Sequence, residues 1–258
     1  MSEEIRTERR GSALWIRVER PAARNAMTFA MYDHIAALCR DANADTSVKA
    51  VVLTGSGEAF VAGTDIGQFV DFKKASQALE YERRMDAWLG AIEDVRVPTI
   101  AALRGPVVGG GLAIAAACDL RIAAPSARFG VPVARTLGNC FSAANLVRLA
   151  ALVGLGRVKE LVLTARLIDA QEARAMGLVS EVVAGEEALD GRVDELVEQL
   201  ASYAPLTLHA TKEMVRRIRA RMMPDEASDL VALCYTSADF REGVTAFIER
   251  RKPVWSGR

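Results

Sequence analysis

A run of three glycines, 109–111, stands between two apolar segments and constrains the fold of this chain more than any other feature. The segment before it, Thr99–Leu103, is short and apolar, which predicts a buried strand. Residues 112–118 are apolar on every side, which indicates a helix enclosed by the rest of the protein. Because glycine has no Cβ, the backbone here can lie close to another group and present the unpaired N–H groups of a helix start.

Such a pair of amides, at the positive end of a helix dipole, suits a phosphate or a developing oxyanion. The alternative is a tight turn from strand to helix with no ligand, and the triplet by itself leaves both open. A dinucleotide-binding fingerprint, GxGxxG, would need a third glycine at position 114, where the chain has Ile114. The spacing therefore disfavours a nicotinamide enzyme.

The charge balance excludes several classes of partner. The chain has 33 basic and 33 acidic side chains, whereas a nucleic-acid-binding protein shows a basic excess or stripe. The charged N-terminus does not match a secretory signal, and the nearly apolar stretch 106–118 is shorter than the ~20 residues that cross a bilayer. We therefore expect a cytoplasmic protein with neither a nucleic-acid nor a membrane partner.

The cysteines and histidines give no pattern of a metal site. The four cysteines are widely spaced without a CxxC pair, and the chain has only two histidines. A structural zinc site needs four such ligands at short, paired spacings. We expect reduced thiols and no metal.

Strand and helix patterns alternate along the first part of the chain, which predicts an α/β fold of repeated ββα units. The predicted strands are 12–19, 49–54, 99–103, 120–123 and 127–130, with a further short strand within 60–66. The predicted helices are 28–43, 77–92, 112–118 and 143–153, and a capping box at 169–172 opens another that Gly177 ends. The inward residues of helix 77–92, interpreted as core, are Leu79, Met85, Trp88, Leu89 and Ile92.

Beyond Val183 the strand signals stop. Residues 186–203, 206–222 and 225–240 are predicted to be helical and have apolar faces left over. Such faces pack on the core or on neighbouring subunits. We therefore expect a core at 1–195 and an all-helical region at 196–258.

Segments spread over nearly the whole chain resemble, in the right order, the crotonase superfamily, also called the enoyl-CoA hydratase/isomerase family. They are residues 20–26 (RPAARNA), 58–66 (EAFVAGTDI), 101–119 with the glycine triplet, 162–173 (VLTARLIDAQEA), 177–180 (GLVS) and 241–253 (REGVTAFIERRKP). The resemblance implies a spiral of two sheets built from ββα units, and assembly into homotrimers, or hexamers as dimers of trimers. It also favours a ligand at the glycine triplet over a plain turn.

The same resemblance implies a site for a CoA thioester, an acyl-CoA or enoyl-CoA substrate, without a separate cofactor. The thioester carbonyl would lie between the backbone N–H groups of Thr64 and Gly110, because reactions of this class develop negative charge on that oxygen. The residues implied at the adenosine and phosphate end of CoA are Arg24, Ala62, Asp65 and Ile66. Phe247 and Lys252 would reach a CoA from the helical region, on the same or an adjacent subunit. For Asp65 the alternative is a helix cap, and for Lys252 a solvated face.

The chain departs from the hydratase pattern at both glutamates that hold and activate water in relatives. The first position, two residues beyond the triplet, is Ala113. The second follows the proline of the FGxP segment and is Val133, or Ala134 if that segment is one residue longer. Neither residue can move a proton, so ordinary enoyl-CoA hydration is not expected.

Nearby polar residues remain as candidates for the chemistry. They are Arg135, Asn139, Cys140, Ser142 and Asn145, in a loop and helix start that face the acyl pocket in relatives. Ser142 stands where some isomerases and dehalogenases of the family place an acid, and Arg135 could hold a carboxylate, as a decarboxylase would require. The sequence thus favours an enzyme that stabilises a thioester enolate. The alternatives are a divergent isomerase, decarboxylase or hydrolase of the same fold, and a non-catalytic acyl-CoA binder.

Overall fold

The computed structural model describes residues 3–224 and 227–258 as a mixed α/β structure with a helical C-terminal region. The strands are β1 (Ile5–Arg10), β2 (Ala13–Val18), β3 (Ala50–Gly55), β4 (Thr99–Leu103), β5 (Pro106–Val108), β6 (Leu120–Ala123), β7 (Arg128–Gly130), β8 (Ile168–Asp169) and β9 (Glu181–Val182). The helices are α1 (Phe29–Ala42), α2 (Ala75–Glu93), α3 (Gly110–Ala117), α4 (Val133–Thr136), α5 (Ala143–Thr164), α6 (Ala170–Ala175), α7 (Ala188–Ala201), α8 (Pro205–Ala220), α9 (Ser228–Tyr235) and α10 (Ala238–Ile248).

The described strands form two sheets. The larger has the order β1-β2-β3-β4-β6-β9, in which only the β1–β2 pair is antiparallel. The smaller has the order β5-β7-β8. Every residue of β3 and β4 is buried, as expected for central parallel strands that are covered on both faces.

Each face of the large sheet has its own apolar cluster. The main cluster lies between the sheet and α1, α2 and α3. The second cluster lies on the opposite face, where Val193 and Val197 of α7 join Trp15, Val52 and Ile100. Helix α7 therefore packs on the sheet with residues before and after position 195, which the sequence analysis gave as the end of the core.

Most of the predicted elements are confirmed. Strands β4 and β6 have the predicted bounds, and α1 begins after Thr28, whose side chain accepts a hydrogen bond from Met31 N. Helix α5 begins at Ala143 as predicted but runs to Thr164, with non-helical backbone at Gly154. The helix predicted between the capping box at 169–172 and Gly177 is α6, and the Asp169 side chain accepts from Glu172 N at 2.8 Å at its start.

Two expectations were wrong, and one strand was not predicted. The charged segment Ile5–Arg10 is a strand, because it pairs with β2 along its whole length and buries Ile5. Residues 60–66 form no strand beyond two isolated bridges, from Val61 to Val107 and from Thr64 to Met27. The helix expected over 225–240 is replaced by α9 and α10, because the Ser237 hydroxyl accepts from Phe240 N and starts a new helix; its predicted start at Asp225 lies outside the described residues.

None of the helices in the described ranges is both long and apolar enough to cross a membrane.

Candidate active site

The backbone of Gly110 lies close to the backbone nitrogen of Thr64, where the glycine triplet meets the loop after Val61. A Cβ built on Gly110 would lie 3.4 Å from the backbone nitrogen of Thr64. Gly110 is the first residue of α3, so its N–H has no acceptor within the helix. In the described part of the chain, the N–H groups of Thr64 and Gly110 make no backbone hydrogen bond beyond the regular pairings of helices and strands. Two unpaired donors at one point are what a developing oxyanion requires.

Each glycine of the triplet has its own structural reason. Gly109 has φ +54° and ψ −117°, a backbone conformation that residues with a side chain rarely adopt. A Cβ on Gly111 would lie 2.1 Å from the carbonyl oxygen of Val61, so only glycine lets α3 approach that loop. A Cβ on Gly110 would lie 2.3 Å from the hydroxyl of Tyr32.

Thr64 is held in place by its side-chain hydroxyl and by backbone hydrogen bonds of the residues before and after it. Its hydroxyl lies 3.0 Å from the Tyr32 hydroxyl and 3.2 Å from the Tyr81 hydroxyl. Met27 exchanges backbone hydrogen bonds with the flanking residues, donating to Gly63 O and accepting from Asp65 N. The Thr64 N–H is therefore held in place before any ligand arrives, as preorganised stabilisation demands.

A cavity of about 190 Å³ lies against this N–H pair. Most of its wall is apolar, with a few polar side chains placed in it, the usual composition of a small-molecule site. Its polar lining side chains are Thr64, Tyr81, Glu82, Thr136, Asn139, Asn145 and Tyr235, and its larger apolar ones are Ile66, Phe69, Met85, Leu137, Phe141 and Phe247.

The helical C-terminal region closes one side of the cavity. Tyr235 of α9 and Phe240 of α10 have ring centroids 4.8 Å apart, and Phe69 contacts both. Phe247 of α10 lines the cavity of its own chain although its side chain is more than half exposed. Aromatic packing thus joins the region after residue 227 to the site.

Glu82 is a buried carboxyl group in the cavity wall. It accepts a 2.8 Å hydrogen bond from the Tyr235 hydroxyl, which in turn accepts one of 3.0 Å from the Asn139 side-chain amide. The pKa of Glu82 is raised to about 7, chiefly by burial and also by the nearby Asp86, against the hydrogen bonds from Tyr235 and Ser142, which lower it. The carboxyl can therefore change charge near neutral pH.

Sequence reasoning missed Glu82, although α2 carries a signal. The buried residues of this helix form a stripe that includes Ala78, Tyr81, Met85 and Trp88, and Glu82 lies within it. A charged residue on the buried stripe of an amphipathic helix is rarely placed there for packing alone.

The residues predicted for catalysis fall into two groups. Thr64 and Gly110 lie near each other in the cavity wall, which Asn139 also lines. Ser142 is buried and caps α5 by accepting from Asn145 N. It contacts Glu82 but is not part of the cavity wall. Arg135 has an exposed side chain in α4 and is not part of the wall.

The two positions that carry glutamates in hydratases differ in their surroundings. Ala113 is buried in the packing of α3, with 1% of its surface exposed, and does not reach the cavity wall. Val133, the first residue of α4, lines the cavity. Ala134, the other reading of the second position, is exposed.

The residues implied for CoA contact are also placed. Ala62 and Ile66 line the cavity, as does Phe247. Asp65 accepts from Gly67 N as a cap, and its other oxygen lies 2.6 Å from the Arg20 guanidinium. Arg24 has left-handed backbone, and its carbonyl accepts from Ala62 N; Lys252 is exposed outside the wall.

Comparison with known proteins agrees with this architecture. The sequence model of the family "Enoyl-CoA hydratase/isomerase" matches residues 8–258. A crotonyl-CoA hydratase from Syntrophomonas wolfei is 36% identical over 255 residues, covering 97% of this chain and 96% of the relative.

Two solved structures share the fold over the full chain. An enoyl-CoA hydratase/carnitine racemase from Magnetospirillum magneticum has a TM-score of 0.81 at 32% identity, covering 100% of this chain and 97% of its own. A methylmalonyl-CoA decarboxylase in complex with 2-nitronate-propionyl-CoA has a TM-score of 0.89 at 24% identity, with 100% of both chains covered.

The fold is therefore that of a crotonase-like protein. More narrowly, the chain belongs to the enoyl-CoA hydratase/isomerase family, as its resemblance to that family implied.

Proposed function

We propose that this protein is an enzyme that binds an acyl-CoA thioester and stabilises its enolate between the N–H groups of Thr64 and Gly110. The observation that carries the proposal is the pair of unpaired N–H groups at the wall of the cavity. When a proton leaves the carbon next to a thioester carbonyl, negative charge develops on the carbonyl oxygen. Each preorganised donor contributes roughly 3 to 4 kcal/mol to that state.

The choice of a CoA ester rests on the relatives. The Syntrophomonas relative is a crotonyl-CoA hydratase, and the decarboxylase structure holds a propionyl-CoA analogue. In this proposal Arg24, Ala62, Asp65 and Ile66 contact the CoA moiety near the cavity mouth. Phe247 and Lys252 cover it, and no further cofactor takes part.

Ordinary hydration of an enoyl-CoA is not the proposed reaction. A positioned acid or base typically contributes ~10² to 10⁴ in rate. Ala113 and Val133 remove both groups that hydratases of the family use. The proposed reaction is one that needs the enolate but not a pair of carboxylates around a water, such as an isomerisation or a decarboxylation.

The second candidate is a non-catalytic acyl-CoA binder. The apolar side chains of Ala113 and Val133 favour it, because a site that only binds needs no group to move protons. The two candidates differ in whether the bound thioester reacts.

A matched pair of variants tests the proposal. Gly110→Pro removes one N–H donor, whereas Gly110→Ala keeps it and, like proline, places a Cβ 2.3 Å from the Tyr32 hydroxyl. We expect isothermal titration to show acyl-CoA binding to the wild type, and turnover of an acyl-CoA to fall by ~10² to 10³ in Gly110→Pro relative to Gly110→Ala. Absence of binding to any acyl-CoA or to free CoA contradicts both candidates. Binding without turnover supports the non-catalytic one.

We also propose that the protein assembles as a homotrimer, or as a hexamer of two trimers. Apolar side chains are exposed along the C-terminal helices, where a subunit interface would bury them. They include Met214, Val215 and Ile218 of α8, and Leu230 and Leu233 of α9.

A further inference from the structure

Glu82 is the only carboxyl group among the described residues that line the cavity. No histidine, lysine or arginine lines it either. The remaining groups in the wall that could release a proton are Tyr81, Tyr235 and Cys140. Burial raises the pKa of each of these three well above its ordinary value, so none of them ionises near neutral pH.

Glu82 stands next to a residue that supports the N–H pair. Its neighbour on α2, Tyr81, contacts the Thr64 hydroxyl at 3.2 Å, and both side chains line the same cavity. Two consecutive residues of α2 thus bring a carboxyl group and the support of the oxyanion donors to the wall of one cavity. The proton-transfer group and the N–H pair that would hold the enolate oxygen therefore line the same cavity.

The carboxyl group is also oriented from two other elements. Tyr235 of α9 donates to Oε1, and Ser142 at the start of α5 makes a further side-chain hydrogen bond. Glu82 lines a second cavity of about 300 Å³ together with Ser142 and Asp86, whose side chain is 41% exposed. The Glu82 carboxyl is therefore oriented by its hydrogen-bond partners, and the second cavity gives it access to exchangeable protons.

We infer that Glu82 is the catalytic acid and base of this site, removing a proton from the α-carbon of the bound thioester and returning one to it. This inference rests on the proposed function, because it requires a thioester held at Thr64 and Gly110. No residue taken from the family pattern has this role: Glu82 lies on α2, whereas Ala113 lies on α3 and Val133 on α4.

The step balances without a co-reactant. A carboxylate oxygen of Glu82 forms a bond to the α-hydrogen, and the electrons of the broken C–H bond form the C=C bond of the enolate. The carbonyl electron pair moves to the oxygen, which the Thr64 and Gly110 N–H groups stabilise. In the reverse step the Glu82 carboxylic acid returns a proton to carbon, after exchange with water if the intermediate lives long enough.

The pH dependence follows from the groups around Glu82. Asp86 lies one turn along α2 and raises the pKa of Glu82, while Arg148 of α5 lies 3.2 Å from Asp86 and lowers the pKa of that carboxyl. Tyr235 and Ser142 favour the charged carboxylate by hydrogen bonding. With the pKa of Glu82 at about 7, the basic form accumulates above neutral pH.

The test is exchange of the α-hydrogens of butyryl-CoA in D₂O, followed by proton NMR, with binding measured separately by isothermal titration. We expect exchange with the wild type, at a rate that rises with pH and reaches half of its plateau near pH 7. Glu82→Gln keeps the shape and an acceptor for Tyr235, and should slow exchange by ~10² to 10⁴. Glu82→Asp, which keeps a carboxyl, should recover part of the rate. Glu80→Gln, an exposed neighbour on α2, is the matched control and should exchange as the wild type does.

Three outcomes overturn the inference. Butyryl-CoA binding with no exchange in the wild type contradicts it, and so does exchange in Glu82→Gln at a rate comparable to the wild type; the proposed thioester site survives both results. Failure of the wild type to bind butyryl-CoA and free CoA contradicts the proposed function itself. Loss of exchange in Glu82→Gln with binding retained supports the inference.

Discussion

The Tyr235 hydroxyl donates a 2.8 Å hydrogen bond to the buried carboxyl of Glu82, joining two helices across 153 residues of sequence. Because the bond stabilises the charged carboxylate, it lowers the pKa of Glu82 against the larger effect of burial. The C-terminal helices therefore take part in setting the charge of the cavity.

Replacing Tyr235 by phenylalanine should raise the pKa of Glu82, since it removes a hydrogen bond that favours the carboxylate. The pH at which α-hydrogen exchange reaches half its plateau should move upward relative to the wild type. The control is Tyr203→Phe, an exposed tyrosine at the end of α7 that is bonded to Gln199. A midpoint that is unchanged or moves downward in Tyr235→Phe contradicts this role.

Glu82 should also make the stability of the protein depend on pH. The folded state holds the Glu82 proton up to a pKa of about 7, whereas the unfolded chain loses it near 4.5. Between these values the folded state binds more protons, so its free energy of unfolding falls as pH rises. Relative to Glu82→Gln, the wild type should lose up to about 3 kcal/mol over this window.

The measurement is urea unfolding of the wild type and Glu82→Gln at several pH values. Below pH 4.5 the difference between the two proteins should be constant, because the residue is then neutral in both states. Glu80→Gln should follow the wild type throughout. A Glu82→Gln protein that loses the same stability with pH as the wild type would contradict a buried, neutral Glu82.

Thr64→Val should separate the hydroxyl of Thr64 from its backbone N–H. Valine keeps the N–H but leaves the hydroxyls of Tyr32 and Tyr81 without their partner, at a cost of about 1 to 3 kcal/mol in unfolding free energy. Activity should fall less than in Gly110→Pro, since both oxyanion donors remain. Thr46→Val, at an exposed turn, should change stability by less than about 0.5 kcal/mol. Equal stability of Thr64→Val and the control would show that the tyrosine contacts do not hold this loop.

Hydration of a short 2-enoyl-CoA should be slow. Ala113 and Val133 cannot hold or activate water, so the rate should be lower by ~10² or more than that of an enzyme with both glutamates. The loss of enoyl absorbance, compared with that catalysed by a hydratase assayed in parallel, measures it. Hydration at ordinary hydratase rates would contradict the proposed limits of this site.

Light scattering of the purified protein should give the mass of three chains, or six, rather than the 27.8 kDa of one. The reason is the exposed apolar surface of α8 and α9, which a monomer would leave in water. Charged substitutions at Ile218 and Leu233 should reduce the measured mass of the assembly, whereas substitution of the exposed Lys159 of α5 should not. A monomeric mass for the wild type contradicts this assembly.

The sequence predicts the scaffold of the site well because that scaffold depends on local signals. The continuous apolar run of β4 and the glycine triplet identify a buried strand followed by a helix start, and the structure places both there. Gly111 explains why the signal is strong, since a side chain there would meet the carbonyl of Val61. A close backbone approach of this kind requires glycine, and such a glycine can be recognised in a single sequence.

The chemistry around Glu82 could not be predicted in the same way. Its partner Tyr235 lies far away in sequence, and no local pattern links the two. The periodicity of α2 identifies a buried face, but periodicity does not distinguish a face that packs against a core from one that lines a cavity. Strand β1 was missed for a related reason, because its charged residues face solvent beside a single partner strand.

The central claim, that Thr64 and Gly110 polarise a thioester carbonyl, is tested most directly by isotope-edited infrared spectroscopy. The carbonyl stretch of butyryl-CoA labelled with ¹³C at the carbonyl is compared free, bound to the wild type, and bound to Gly110→Ala and Gly110→Pro. Hydrogen bonds to the carbonyl oxygen weaken the C=O bond, so the band should move to lower frequency in the wild type and in Gly110→Ala, and by less in Gly110→Pro. A bound thioester whose band stays at the frequency of the free ligand in water, or shifts equally in all three proteins, would contradict the claim.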